Sequence, residues 1–203
     1  MILFKTPRFI RKIYNKAIIC FPNKPGSLFF TFDDGPDPEV TPKVLDVLKR
    51  YQAKATFFCL GFQVEQYPGI VDRIRSEGHA IGNHGFVHLN GLKTNSRHYI
   101  KDVEKAESTI KSHLFRPPHG LMRPAQYKNL SKQYTIILWD VMVYDFNQMI
   151  SIQKTLTRVK KHITGGSIVV FHDAKHAHPK VLQVLEELLE YYSGLNYKFE
   201  AIS

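Results

Sequence analysis

A chain of 203 residues that is 43% hydrophobic and 12% aromatic can fill one sizeable core, which excludes a disordered or fibrous protein. Two cysteines, Cys20 and Cys59, are too few for a disulfide framework, and each reads as a small buried hydrophobe. The formal charge of +10 invites an acidic partner, but no zinc finger or aromatic ribonucleoprotein motif accompanies it, so nucleic-acid binding is not expected.

The basic excess gathers at the start. Residues 1–27 carry Lys5, Arg8, Arg11, Lys12, Lys16 and Lys24 and no acid. These charges interrupt the apolar run that a secretory signal needs; the longest run is only 17–21. No stretch approaches the ~20 apolar residues that span a bilayer. The expectation is a cytoplasmic protein whose N-terminal extension, 1–27, packs on the outside of a single domain, 28–203. Peripheral contact of that extension with an anionic membrane surface is the alternative.

Within the domain, strand-like and helix-like segments alternate. Strands are predicted at 28–32, 55–60, 79–82, 134–139, 167–171 and 197–202, with a short extended piece at 114–116. Thr41-Pro42 opens a helix whose apolar face is Val44, Leu45, Leu48 and Tyr51. Further helices follow at 68–77, 96–113, 124–133, 151–163 and 179–192, with Gly78, Gly165-Gly166 and Gly194 as stops. About seven β/α alternations with short links predict a parallel sheet, either open or closed into a barrel.

Titratable residues follow the strands. Asp33 and Asp34 come after the first, His84 and His88 after the third, and Arg116 and His119 in "RPPHG". Asp140 and Asp145 lie in "WDVMVYDF", and His172 and Asp173 in "FHDAKHAH". Strand ends of a parallel α/β architecture converge, so these are candidates for one site. His at i and i+4 share one side of a helical turn and can share a metal, although the spacing alone is a weak signal. One carboxylate of the Asp33-Asp34 pair would complete a His2Asp shell with room for water, the arrangement of catalytic zinc. The other carboxylate is then free to take a proton from that water.

These segments resemble the polysaccharide deacetylase family, also known as the NodB-homology domain or carbohydrate esterase family 4. "TFDDGP" is similar to its first motif, "HGFVH" to its H-[ST]-x-x-H second, "RPPHG" to its third, "YDF" to its Asp-Trp fourth and "IVVFHD" to its fifth. The motifs stand in the family's order and span nearly all of the chain after the basic N-terminus. The resemblance implies an α/β fold, a distorted, incomplete (β/α) barrel with about seven parallel strands.

It also implies roles. Asp34, His84 and His88 would hold a divalent metal, most commonly zinc, with cobalt or another ion as alternatives. Asp33 would be the general base, oriented by Arg116. His172 would be the general acid, with Asp145 behind it. A backbone N–H, that of His119, would help to hold the oxyanion, and Tyr144, Phe146, Trp139 and Phe171 would wall the acetyl pocket. Core packing is an equal reading for Trp139 and Phe171. Three positions depart from the family: Gly85 replaces Ser or Thr, Phe146 replaces Trp, and His119 stands where an aromatic residue is common. Gly85 leaves a hydrogen bond missing near the second metal histidine.

The remaining polar residues read as structural. His176 and His178 read as loop residues beyond His172, the alternative being that they crowd the site entrance or capture adventitious metal; His79, His98, His113 and His162 are structural or solvated. Asp140 and Asp173 are structural or support the site, and Asn83 braces the turn before His84. The implied function is metal-dependent removal of N-acetyl groups from N-acetylated amino sugars, in an open, shallow groove. The substrate expected is a soluble oligosaccharide or cytoplasmic precursor. Alternatives are a deacylase of a small non-sugar amide and a glycan-binding relic without turnover. Asp33, Arg116, Asp145 and His172 have little purpose in a relic.

Overall fold

Parallel strands organise the structure, a computed structural model in which residues 4–203 are described. In chain order the elements are α1 (Arg8–Ile13), β1 (Ser27–Asp33), α2 (Thr41–Arg50), β2 (Ala55–Cys59), α3 (Gly61–Gln66), α4 (Pro68–Ser76), β3 (Ala80–Asn83) and α5 (Ser96–Ile110). There follow β4 (Leu114–Phe115), α6 (Pro124–Leu130), β5 (Thr135–Ile136), β6 (Val141–Met142), α7 (Ile152–His162), β7 (Ile168–His172), α8 (Lys180–Gly194) and β8 (Lys198–Phe199). Short 3-10 turns occupy Pro118–Gly120 and Lys175–Ala177.

The strands line up as β5-β4-β3-β2-β1-β7-β6, every pair parallel, and β8 pairs with the start of β1. The two ends of that path, β5 and β6, are separated in sequence only by 137–140. Five residue steps reach at most ~18 Å, so the sheet must curl until its edges approach. The result is the incomplete barrel. Residues near the N-terminus lie along this seam. Met142 N–H donates to Phe4 C=O, Thr6 N–H to Asp140 C=O, and Leu138 N–H to Ile18 C=O, at 2.8–3.0 Å. These bonds use edge groups that would otherwise be unpaired.

β1 ("SLFFTFD") and β2 ("ATFFC") are buried along their whole length, as central parallel strands covered on both faces must be. Phe32 stacks between Phe57 and Phe171, with ring centroids 5.0 and 5.3 Å away. Helix α8 closes the core with Val181, Val184, Leu185, Leu188 and Leu189, all fully buried. Among the described residues no helix is long and apolar enough to cross a membrane. Both cysteines are free.

Two elements differ from expectation for identifiable reasons. The strand predicted at 134–139 shrinks to Thr135–Ile136 because the carbonyls of Ile137 and Leu138 accept from Arg116 Nε and Nη2 (3.3 and 3.1 Å) instead of from a strand. The long helix stops at Ile110, where Lys111 turns left-handed (φ 52°). The six-residue α3 and the two-residue β6 were not predicted from the sequence.

Candidate active site: a histidine–carboxylate centre at the strand ends

Register alone brings most of the site together. Asp33 pairs with His172 across β1 and β7. Asn83 pairs with Phe115 across β3 and β4, so His84 and Arg116 follow at the same level. These strand ends open into a cleft of about 480 Å³.

The two adjacent carboxylates face different neighbours. Asp33 is buried, and its Oδ1 accepts from Arg116 Nη1 at 2.7 Å. Arg116 is itself fully buried, and the same nitrogen donates to Thr31 Oγ1 at 2.7 Å. The guanidinium also lies over the Phe58 ring at 4.1 Å. Asp34 leaves the strand with φ 78°, a conformation that Asp tolerates better than most residues. Its Oδ1 lies 3.6 Å from His84 Nε2 and 3.2 Å from His88 Nε2. Burial alone would raise the Asp34 pKa; His84, His172, His88 and His176 together hold it below the usual carboxylate value.

His84 is held neutral with its Nε2 free. Its Nδ1–H donates to the Arg116 carbonyl at 2.8 Å, which turns the Nε2 lone pair toward Asp34. Burial pushes its pKa down to about 4, against the pull of Asp33. The donor atoms of Asp34, His84 and His88 all lie within 4.8 Å of one another. Asp34 Oδ1 is buried with no hydrogen-bond partner. An orphaned carboxylate oxygen facing two imidazole nitrogens fits a divalent cation, so the set can hold one.

His84 and His88 do not share a helix. Gly85 (φ 80°) and His88 (φ 57°) are left-handed, and the loop folds both rings to one point by that route. The turn after Gly85 is held from outside the motif. Asp102 on α5 accepts Phe86 N–H at 2.8 Å and Val87 N–H at 3.3 Å. Asn83 braces the turn through Gly85 N–H at 2.8 Å and the Val103 carbonyl at 3.0 Å.

On the other side, both Asp145 oxygens hold His172: Oδ1 takes Nδ1–H at 2.8 Å and Oδ2 the backbone N–H at 2.7 Å. Burial would lower the His172 pKa, but the Asp145 charge and hydrogen bond override it and lift the value to about 9. The loop that carries Asp145 is clasped by Lys180 Nζ, which donates to the carbonyls of Tyr144, Asn147 and Ile150 at 2.8–3.1 Å.

Trp139, Phe146 and His119 line the cleft, with the Phe146 ring edge-on to His172 at 4.9 Å and His119 4.6 Å from His88. Tyr144 does not. It lines an adjoining cavity of about 200 Å³ with Lys5, Thr6, Pro7 and Ile10, because its left-handed backbone (φ 57°) turns it away from the chemistry. Phe171 is core, packed on Phe30 and Phe32. Asp140 accepts from Ser167 Oγ at 2.8 Å, and Asp173 from Thr41 Oγ1 at 2.6 Å. His79 Nδ1 accepts Ala55 N–H at 3.2 Å.

Sequence reasoning missed Met142, and it preferred a plain loop role for His176 over one at the site entrance; both residues line the cleft. His176 Nε2 reaches Asp34 Oδ2 at 3.4 Å, so it is more than a loop residue. Its spacing of four from His172 is the signal in the sequence that points to the cleft.

Similarity to known proteins agrees with this arrangement. The model of the polysaccharide deacetylase family matches residues 22–136. A peptidoglycan-N-acetylglucosamine deacetylase of Bacillus cereus is 33% identical over 90% of this chain and 89% of its own. A chitooligosaccharide deacetylase of Azorhizobium caulinodans is 31% identical over 72% of this chain and 73% of its own. A crystal structure of a peptidoglycan N-acetylglucosamine deacetylase bound to an N-hydroxybenzamide superposes with a TM-score of 0.88, at 31% identity over 97% of this chain and 95% of that one. A family pseudoenzyme from Bacillus anthracis also superposes, with a TM-score of 0.79, at 25% identity over 92% of this chain and 67% of that one. This chain belongs to the polysaccharide deacetylase family.

Proposed function

We propose that the protein is a divalent-metal-dependent N-deacetylase of oligo- or polysaccharides that contain N-acetylglucosamine-type sugars, with zinc as the ion. The observation that carries the reading is the division of labour between neighbours: Asp33 is locked to Arg116, while Asp34 faces two histidines. Relatives named for peptidoglycan and chitooligosaccharide deacetylation support the substrate class.

A cation held by Asp34, His84 and His88 would supply Lewis acidity toward the acetamide carbonyl and a water. The rest is the work of the chain. Arg116 occupies Asp33 Oδ1 and fixes the orientation of the carboxylate, so the other oxygen of Asp33 is free to accept a proton from a water at the cleft floor. Asp145 holds Nδ1–H of His172, so the transferable proton sits on Nε2. With a pKa near 9, His172 is protonated at neutral pH and donates to the departing sugar amine. Trp139, Met142 and Phe146 give the acetyl methyl an apolar wall. Water adds to the amide carbon, the C–N bond breaks, and acetate and a free amine leave.

The family fold also occurs in a pseudoenzyme, so fold alone does not decide turnover. The retained acid, base and their buried partners favour catalysis. Cytoplasmic residence, read from the N-terminal sequence, is part of the proposal and is checked by cell fractionation. The deciding assay is acetate release from N-acetylglucosamine oligomers by metal-stripped protein before and after zinc is restored. Release only with zinc supports the reading. Stoichiometric zinc without release on any N-acetylated sugar would overturn it in favour of a non-sugar amide or binding alone.

A further inference from the structure

Three of the groups in the cleft have an outer partner that fixes them. Asp33 has Arg116, His84 has the Arg116 carbonyl, and His172 has Asp145. Asp34, the carboxylate on a left-handed residue just past a strand end, needs one too. Ligating carboxylates are generally held by a second group, and the loss of that group weakens metal binding.

His176 is placed to do this. It sits in the turn Lys175–Ala177, where its carbonyl accepts Gln148 Nε2 at 3.2 Å. Its ring lies beside Phe146 and His172, with centroids 6.4 and 5.7 Å away. Its Nε2 is 3.4 Å from Asp34 Oδ2, the oxygen opposite the one that faces His84 and His88. We propose that His176 is a positioning residue of the metal site: its Nε2, in charge contact with Asp34 Oδ2, closes to a hydrogen bond on that oxygen when the site is loaded, fixes the carboxylate, and leaves Oδ1 as the oxygen offered to the cation. It is not a fourth ligand. Its nitrogen falls outside the group whose donor atoms all lie within 4.8 Å of one another. The proposal rests on the reading of Asp34, His84 and His88 as the metal site.

The test is zinc affinity, measured by competition with a chromophoric chelator, for wild type and for His176→Ala, His176→Gln and His84→Ala. His176 is half-exposed, so its replacement leaves the core intact, and a thermal melt checks this. His176→Ala is expected to weaken zinc by ~10–100-fold. His176→Gln retains a donor at similar reach and is expected to recover most of that loss. Wild-type affinity in His176→Ala would overturn the proposal. So would loss in both His176 variants to the level of His84→Ala, because that marks a direct ligand. Failure of the metal-site reading itself looks different: His84→Ala would then bind zinc as well as wild type.

Discussion

Arg116 and Asp33 form a buried ion pair at 2.7 Å, in which one guanidinium nitrogen serves both Asp33 and Thr31 while the others hold the Ile137 and Leu138 carbonyls. A single side chain thus orients the proposed base and completes the turn at the barrel seam. Removing one partner of a buried pair leaves an uncompensated charge, which costs ~3–5 kcal/mol. Arg116→Met should therefore destabilise the fold by about that amount in urea unfolding, besides removing activity. A loss of activity with unchanged stability would show that Arg116 does not support the seam.

The pH dependence of turnover should report His172. An acid with a pKa raised to about 9 works below that value and fails as the pH climbs through it. Cationic charge at Asp34 offsets the neighbouring carboxylates that help to raise the value, so the alkaline limb in zinc-loaded enzyme should fall somewhat below 9. Asp145→Asn removes the main raising charge and should move that limb down by about one unit or more. An unmoved limb would assign it to another group.

Gly85→Ser restores the family's usual residue, yet it should harm this protein. A side chain at φ 80° is strained, and its Cβ would lie 2.8 Å from Asp102 Oδ2, which is already held by Phe86 N–H. The expected cost is ~1–3 kcal/mol, with weaker zinc binding, and Gly85→Ala should behave alike. Tighter zinc binding in Gly85→Ser would show that the turn held by Asp102 accommodates the added side chain.

His79 should make stability fall in mild acid. Burial, aided by Lys54, lowers its pKa to about 4, and its Nδ1 lone pair accepts Ala55 N–H. The folded state binds the proton less readily than the unfolded chain. Its contribution is therefore complete above about pH 6.5 and is lost as pH falls toward 4. At pH 5 the loss is at most ~2 kcal/mol. His79→Asn, which keeps an acceptor but does not titrate there, should show a flatter melting temperature between pH 7 and 5. An identical slope would place the acid sensitivity elsewhere.

Much of the site was legible because parallel strand ends converge, so a list of titratable residues after strands already brings Asp33, Asp34, His84, Arg116 and His172 together. Apolar runs such as 28–32 and 55–59 announced the central strands. What stayed hidden depends on backbone detail or on long-range partners. The spacing of His84 and His88 suggested a helix, whereas two left-handed residues bring them together. The shortened fifth strand needs Arg116, some twenty residues away in sequence, to capture its carbonyls. Tyr144 sits beside Phe146 in a motif, but its backbone sends it to another cavity. Asp102 holds the backbone after Gly85 from a helix that no motif includes. His176 acquires meaning only when the turn after β7 folds it back over Asp34.

The central claim is that two adjacent carboxylates divide the work, Asp34 holding the cation and Asp33 moving the proton. The most direct measurement pairs zinc content with acetate release for Asp33→Asn and Asp34→Asn, with folding verified by thermal melt. Asp33→Asn should keep one zinc per chain and lose ~10²–10⁴-fold in turnover, while Asp34→Asn should lose both. Retained turnover in Asp33→Asn, or loss of zinc from it with the fold intact, would contradict the account.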